Sequence, residues 1–276
     1  MNLVVTILGC GSSGGVPRLG SGWGACDPAN PKNRRRRCSI LVERAGSDGK
    51  STVLVDTSPD AREQLLDAGV SRLDAVLFTH EHADHMHGID DLRALVIHMR
   101  RRIPVYAGEV ASRVLRARFG YCFETPPGSP YPPILDLHWM DGVGAVTVDG
   151  PGGAITAMPF RMIHGSGDAL GFRFGNLAYA PDVSRMPDES AEALQGLDVL
   201  ILDALRYTPH PTHFTVAEAL AFIGQVRPRR AILSNLHTDL DYDRLAAELP
   251  AGVEPAYDGM RIEVPPQRFS DETASR

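Results

Sequence analysis

His80, His82, Asp84 and His85 stand close together in the run Thr79-His80-Glu81-His82-Ala83-Asp84-His85. Imidazole nitrogens and carboxylate oxygens are ligands for divalent zinc, manganese or iron, and the sequence does not choose among them. In extended chain, residues two apart project to the same side, so His80 and His82 can hold one ion. A turn after them would let Asp84 and His85 face a second ion. The apolar run Ala75–Phe78 precedes the cluster and a helix-like segment from Gly88 follows it, which puts the ligands at a strand end. Four metal-competent side chains in that order are hard to account for as a surface loop merely rich in histidine.

The HxHxDH pattern at a strand end resembles the signature of the metallo-β-lactamase superfamily. That resemblance implies a four-layer αββα sandwich and three more ligands, each following a core strand. His164 after Ile163, Asp182 after Tyr179-Ala180-Pro181, and His237 after Leu233-Ser234-Asn235-Leu236 match those positions one by one. The implied set is His80, His82 and His164 on one metal, Asp84, His85 and His237 on the other, and Asp182 bridging both. Two divalent ions per chain are therefore expected, zinc or manganese, with iron also compatible. Two metals about 3.5–4 Å apart bring the pKa of a shared water towards neutrality, so hydroxide becomes the nucleophile of a hydrolase.

His213, in Pro209-His210-Pro211-Thr212-His213, lies about where phosphodiesterase branches of the superfamily carry a histidine that protonates the departing alkoxide. The alternative is that His213 merely caps the helix opening at Thr215. With His213, Asp84 is expected in the catalytic set. Three further stretches are similar to the phosphoribosyl cyclic phosphate phosphodiesterase (PhnP-like) branch: Leu8–Pro17, Asn33–Arg37 and Gly88–Arg93. The implied activity is hydrolysis of small cyclic or nucleotide-like phosphodiesters, and the implied assembly is a homodimer. Ser12 and Ser13 could present backbone N–H groups to a phosphate, and Asp56 is expected to hydrogen-bond to the metal loop without binding metal. One departure matters. The loop Gly20–Cys26 keeps a single cysteine, and Leu240 stands where a histidine of a structural zinc site is expected, so no structural zinc is expected.

Positioning these groups falls to short runs rich in Val, Ile and Leu, the composition of strands buried on both faces. Strands are expected at Leu3–Leu8, Ser39–Glu43, Thr52–Val55, Ala75–Phe78, Ile103–Tyr106, Ile155–Ile163, Leu170–Phe174, Leu177–Tyr179, Val199–Leu202, Arg230–Leu233 and Arg261–Val264. Helices are expected at Asp60–Ala68, Gly88–His98, Val110–Arg118, Pro187–Leu194, Thr215–Gln225 and Tyr242–Glu248. Thr215 with Glu218 three residues on reads as a capping box. Gly11–Arg37 and Tyr121–Pro133 read as irregular, the second as a surface loop or lid. Gly9-Cys10-Gly11-Ser12-Ser13-Gly14 fits GxGxxG, but no helix opens there, so a dinucleotide fold is excluded. With no linker dividing the chain, the reading is one α/β domain over 1–265 and a polar tail over 266–276.

The net charge of −6 on 276 residues argues against stable nucleic-acid binding. The four arginines Arg34–Arg37 read as a solvated or salt-bridged segment. Four cysteines without a CxxC pair, no signal-peptide pattern and no membrane-length apolar run point to the cytoplasm and away from a membrane. Two other hydrolase classes share the scaffold. A tRNA-processing ribonuclease would want a basic arm, and Tyr121–Pro133 carries no Lys or Arg. A thioester or lactone hydrolase resembling glyoxalase II would want a C-terminal helical domain, and only a short segment follows His237.

Overall fold

Val53 and Val55 pack inward between two sheets while Leu54, between them in sequence, packs outward beneath helices. The same alternation separates Leu177 and Tyr179 from Ala178 and Ala180, and Ile201 from Leu200 and Leu202. Successive side chains on a strand point to opposite faces, so a strand that is apolar at every position needs cover on both sides. That requirement produces four layers.

The computed structural model describes residues 3–264, and the expected tail over 266–276 lies outside the described residues. The first sheet collects β1 (Leu3–Gly9), β2 (Ser39–Gly46), β3 (Gly49–Val55), β4 (Ala75–Leu77), β5 (Ile103–Ala107), β6 (Leu135–Trp139) and, at its other edge, the last strand, Arg261–Val264. The second collects β7 (Val146–Val148), β8 (Ile155–His164), β9 (Gly167–Phe174), β10 (Leu177–Ala180), β11 (Val199–Asp203), β12 (Arg230–Ser234) and β13 (Val253–Pro255). The last strand is β14. Helices α1 (Ala61–Asp67), α2 (Ala83–Met86), α3 (Leu92–Met99) and α4 (Glu109–Phe123) precede the second sheet in sequence, while α5 (Asp188–Ala193), α6 (Val216–Val226) and α7 (Tyr242–Glu248) interleave with its strands. Leu65, Leu92 and Leu115 cover the outer face of the first sheet, and Leu194, Phe222 and Ile223 that of the second. The architecture is the αββα sandwich.

The expected strands and helices are all present, most with ends shifted by a few residues. Three strands escape a reading by hydrophobic runs, β6, β7 and β13, and all three lie at or beside a sheet edge where one face is solvated. Helix α4 extends to Phe123, so the irregular loop begins at Glu124 and not at Tyr121. Thr215 caps α6 with the full reciprocal box to Glu218. After β1 the chain runs into a loop, and Gly9 is required there because a Cβ would lie 2.1 Å from the Arg37 carbonyl oxygen. That contact replaces the helix a dinucleotide fold would need.

Parallel pairing of β3 with β4, and of β10 with β11 and β12, brings the C-terminal ends of these strands to one rim. The metal-loop segment is braced there by Gly88, whose N–H reaches the Thr57 carbonyl at 3.0 Å. A Cβ on Gly88 would lie 2.0 Å from the Ser58 carbonyl oxygen and 2.8 Å from Ala61 Cβ. Gly88→Ala is therefore expected to lower the unfolding free energy by about 2–3 kcal/mol. The shift of the urea midpoint at constant m measures it, and an unmoved midpoint would contradict this close approach.

Candidate metal centre

Beyond β4 the run bends at Thr79 and Glu81 and then turns into a helix. His82 has extended backbone and precedes α2, which opens at Ala83, so His80 and His82 leave the strand end while Asp84 and His85 sit on the first helical turn. The ligand atoms of His80, His82 and His164 lie within 4.8 Å of one another, as do those of His80, His85 and Asp182. His85 Nε2 stands 2.9 Å from Asp182 Oδ2 and 3.5 Å from Asp84 Oδ2. His237 lies on the same cavity wall as His82, Asp84, His164 and Asp182, but its Nε2 faces the Arg18 guanidinium and is not gathered into either group. His213 makes a third such group with His164 and Asp182, its ring centroid 4.8 Å from that of His164.

Hydrogen bonds around the rings settle which nitrogens face inward. Asp56 Oδ1 accepts the Thr79 N–H at 2.9 Å, while its Oδ2 accepts the Thr79 hydroxyl at 2.8 Å and the His85 Nδ1–H at 2.7 Å. Thr79 Oγ1 in turn accepts from His80 Nδ1 at 3.0 Å. His164 Nδ1–H donates to the Thr212 carbonyl at 2.7 Å, and His237 Nδ1–H to Asp239 at 2.9 Å. The Nε2 lone pairs of His80 and His164 are thereby turned towards the cavity, the tautomer that metal-binding histidines take when a neighbour holds the other nitrogen, while His85 Nε2 meets Asp182 and His237 Nε2 meets Arg18. His80 Nε2 is buried without a partner. Burial, then the charge of His85, drives the His80 pKa well below its ordinary value, so its lone pair is available. His85 is opposite in sense: burial works to lower it, but Asp182, Asp56 and Asp84 hold it well above. Lone pairs and carboxylate oxygens converging at such distances repel one another unless a proton or a cation stands between them. The donor set fits divalent metal.

Two residues that carry the rim adopt left-handed backbone, Asp56 at φ 64° and Asn235 at φ 62°. Non-glycine residues there store strain, which clusters at functional sites. The Asn235 amide donates to the Pro181 carbonyl at 3.0 Å and to Asp182 Oδ1 at 3.1 Å, fixing the carboxylate between the clusters. His213 Nδ1–H donates to Asp203 Oδ2 at 2.8 Å. Asp203 does not pair with Arg206, whose guanidinium is held by the Thr208 and Pro209 carbonyls. Burial pushes the Asp203 carboxyl up to about 7 against the pull of His213. His213 stands above its ordinary value, because the hydrogen bond and charge of Asp203 outweigh burial.

Ser12 and Ser13 line the cavity, which is about 280 Å³. The Ser12 N–H is taken by the Leu236 carbonyl at 3.3 Å, so Ser12 offers its hydroxyl and not its backbone; that hydroxyl is buried without a partner. Arg18, Arg206 and His210 join the lining and have no signal in the sequence beyond their type. The arginine run is part solvated and part salt-bridged: Arg34 is exposed, Arg36 meets Asp67 and Asp258, Arg37 meets Asp60, and Arg35 is fully buried. Cys26 Sγ donates to the Thr238 and Leu240 carbonyls, and Leu240 is an apolar core residue.

A family model described as the beta-lactamase superfamily domain matches residues 51–234. The chain is 36% identical over 259 residues to an octanoyltransferase of Porphyromonas gingivalis, covering 92% of this chain and 50% of that protein. It thus spans about half the length of that relative. It is 30% identical over 229 residues to the coenzyme PQQ synthesis protein B of Methylobacterium nodulans, covering 71% of each. Among solved structures it is similar to a new diphosphatase from the PhnP family, at 37% identity and a TM-score of 0.85 over 96% of this chain and 98% of that one.

Asp56→Asn keeps the volume but breaks the pattern of donors at Thr79 and His85, and should weaken metal binding by roughly 10–100-fold in chelator competition. His80→Ala should reduce metal stoichiometry by elemental analysis. Full stoichiometry in that variant would remove His80 from the ligand set.

Proposed function

The chain belongs to the beta-lactamase superfamily, in its PhnP-like branch of metal-dependent hydrolases, and from that premise we propose a phosphodiesterase of small cyclic or nucleotide-like phosphodiesters. His80, His82 and His164 would hold one divalent ion, Asp84, His85 and His237 a second, with Asp182 between them. Bound there, such a pair supplies Lewis acidity that brings a water's pKa towards neutrality and draws charge from phosphoryl oxygens. Zinc or manganese suits the donors, and iron is compatible.

The observation that carries the reading is His213, beside the ligand cluster and oriented by Asp203 at 2.8 Å. With Nδ1–H tied to the carboxylate, the ring's Nε2 is free to carry a proton to the departing oxygen. An alkoxide is a poor leaving group and benefits from that proton; a thiolate needs it far less. Anion recognition supports the same choice. Arg206 lines the cavity and bonds only to carbonyls, so its charge remains available to a phosphoryl group, and Arg18, which would give up His237 Nε2 to a metal, would then be free for the same role. His210 accepts the Thr212 N–H and hydroxyl at Nδ1, which leaves an Nε2–H donor, and the Ser12 hydroxyl adds another.

One catalytic domain over 1–265, a homodimer and a cytoplasmic setting complete the proposal. All four cysteines are free and buried, which supports a reducing compartment. No described helix is long and apolar enough to cross a membrane.

His213→Ala should keep both metals and slow a dialkyl or cyclic nucleotide diester about 10²–10⁴-fold, with a much smaller loss on bis-aryl phosphate. Equal losses on both would take His213 out of the acid role. Screening bis-aryl phosphate, 2′,3′-cyclic nucleotides, tRNA, thioesters and lactones with zinc and with manganese tests the reaction class. Turnover confined to the acyl substrates would overturn it.

A further inference from the structure

A second cavity, of about 360 Å³, opens on the other side of the metal loop, and Thr79, His80 and Glu81 form its inner wall. It is comparable to small-molecule pockets, which begin near roughly 300 Å³. Strand β9 is tied to that wall by the Leu170 N–H, which donates to the Thr79 carbonyl at 2.9 Å. Met140 is tied to the end of β5 by its N–H, 2.9 Å from the Ala107 carbonyl. Leu170 fills the floor so closely that a Cβ on Gly142 would lie 3.3 Å from its Cδ2.

The lining is apolar and includes side chains that a core would normally hide. Trp139 is 66% exposed and Val143 78% exposed, both on the cavity wall with Met140 and Leu170. Large apolar groups left open beside a functional site mark a binding surface more often than a folding need. The loop that carries Val143 is fixed, since Asp141 accepts the Val143 N–H at 2.9 Å and the Gly144 N–H at 2.8 Å.

Charge narrows the occupant. Glu81, Glu109 and Asp141 stand on the wall, and its arginine, Arg161, is already paired with Asp168 at 3.0 Å. A phosphate or carboxylate would be repelled here, in contrast to the arginine-lined cavity on the other side of the loop. A flat ring that bears no negative charge would stack on Trp139 and offer ring or amino N–H groups to the carboxylates.

We infer that this cavity is a substrate subsite for a planar, non-anionic aromatic base, with Trp139 as its stacking wall. The inference deepens the phosphodiesterase reading and rests on it: the scissile phosphoryl lies on the arginine side of the metal loop, and the base of a nucleoside arm lies on the Trp139 side. Trp139 is a specificity-determining residue and takes no part in bond breaking.

The chain holds two tryptophans, Trp23 and Trp139, so a Trp23→Phe protein reports on Trp139 alone. Its emission should change saturably with adenosine 5′-monophosphate and stay unchanged with ribose 5-phosphate or inorganic phosphate. Trp139→Ala should weaken binding of adenosine 5′-monophosphate at least tenfold by calorimetry, leave ribose 5-phosphate unaffected, and be rescued by Trp139→Phe. Equal affinity for the two phosphates with silent emission overturns the subsite. Base-dependent binding without diester hydrolysis supports the subsite and removes the phosphodiesterase. Diester hydrolysis with equal kcat/KM for methyl and nucleoside arms overturns the subsite and leaves the reaction standing.

Discussion

The constraint on which the rest depends is that several lone pairs and carboxylates are made to face one another. His80, His85, His164 and His237 each have Nδ1 engaged by a neighbour, which turns Nε2 of His80 and His164 inward, sets that of His85 against Asp182 and leaves that of His237 on Arg18. In a chain without a cation such a cluster is costly, because acceptors buried against acceptors repel and lose their water. The outer partners are what make the cost bearable. Asp56 is at once the acceptor for His85, the anchor of Thr79 and, through that hydroxyl, the indirect orienter of His80. One carboxylate therefore sets two rings.

The rim depends on register. Parallel pairing aligns Val55 with Leu77, and Asp203 with Ser234, so chain leaving these strands emerges at one level. The next residues carry the chemistry: Asp56 after β3, His80 and His82 after β4, Asp182 after β10, and Asn235 and His237 after β12. Ligands in open α/β sheets gather at the carboxyl ends of parallel strands for this geometric reason. The left-handed backbone of Asp56 and Asn235 shows where the demand on the chain is greatest. Asn235 turns that strain to use, since its amide restrains Asp182 from the end of a strand two places away in the sheet.

Much of this was legible because buried strands are apolar at nearly every position, so a polar residue just beyond one is conspicuous. His164, Asp182 and His237 are the positions the family resemblance picks out just beyond such strands, and Asp56, expected beside the metal loop, accepts from Thr79 and His85. What could not be read were groups whose place depends on how irregular chain folds back. Arg18 belongs to a Gly-rich stretch with no periodicity, and reaches His237 only because residues 16 and 35 pair and the chain reverses between Arg18 and Gly22. No spacing rule joins Asp203 to His213 across the intervening loop, yet the two are hydrogen-bonded at 2.8 Å. Four successive arginines read as solvated or salt-bridged, and the spacing does not tell which is which: Asp258, Asp60 and Asp67, none of them adjacent in sequence, hold Arg36 and Arg37, while Arg35 is buried and Arg34 exposed. β6, β7 and β13 went unread because an edge strand needs only one apolar face.

The two cavities give the centre a direction. Arg18, Arg206 and His210 make one side a place for anionic oxygen, while Glu81, Glu109 and Asp141 make the other repel it. The separation between them is the metal loop itself, with His82 on the first cavity and Glu81 on the second. Neighbouring residues on extended chain point to opposite sides, so the alternation that lets His80 and His82 share an ion also sends Glu81 away from it. The HxH spacing thus creates a ligand pair and, in the same stroke, an acidic residue facing the far cavity. A diester that docks across the loop has its orientation chosen by charge before any ligand exchange: a reversed pose would put its phosphoryl oxygens against three carboxylates and its uncharged arm among unneutralised guanidinium groups.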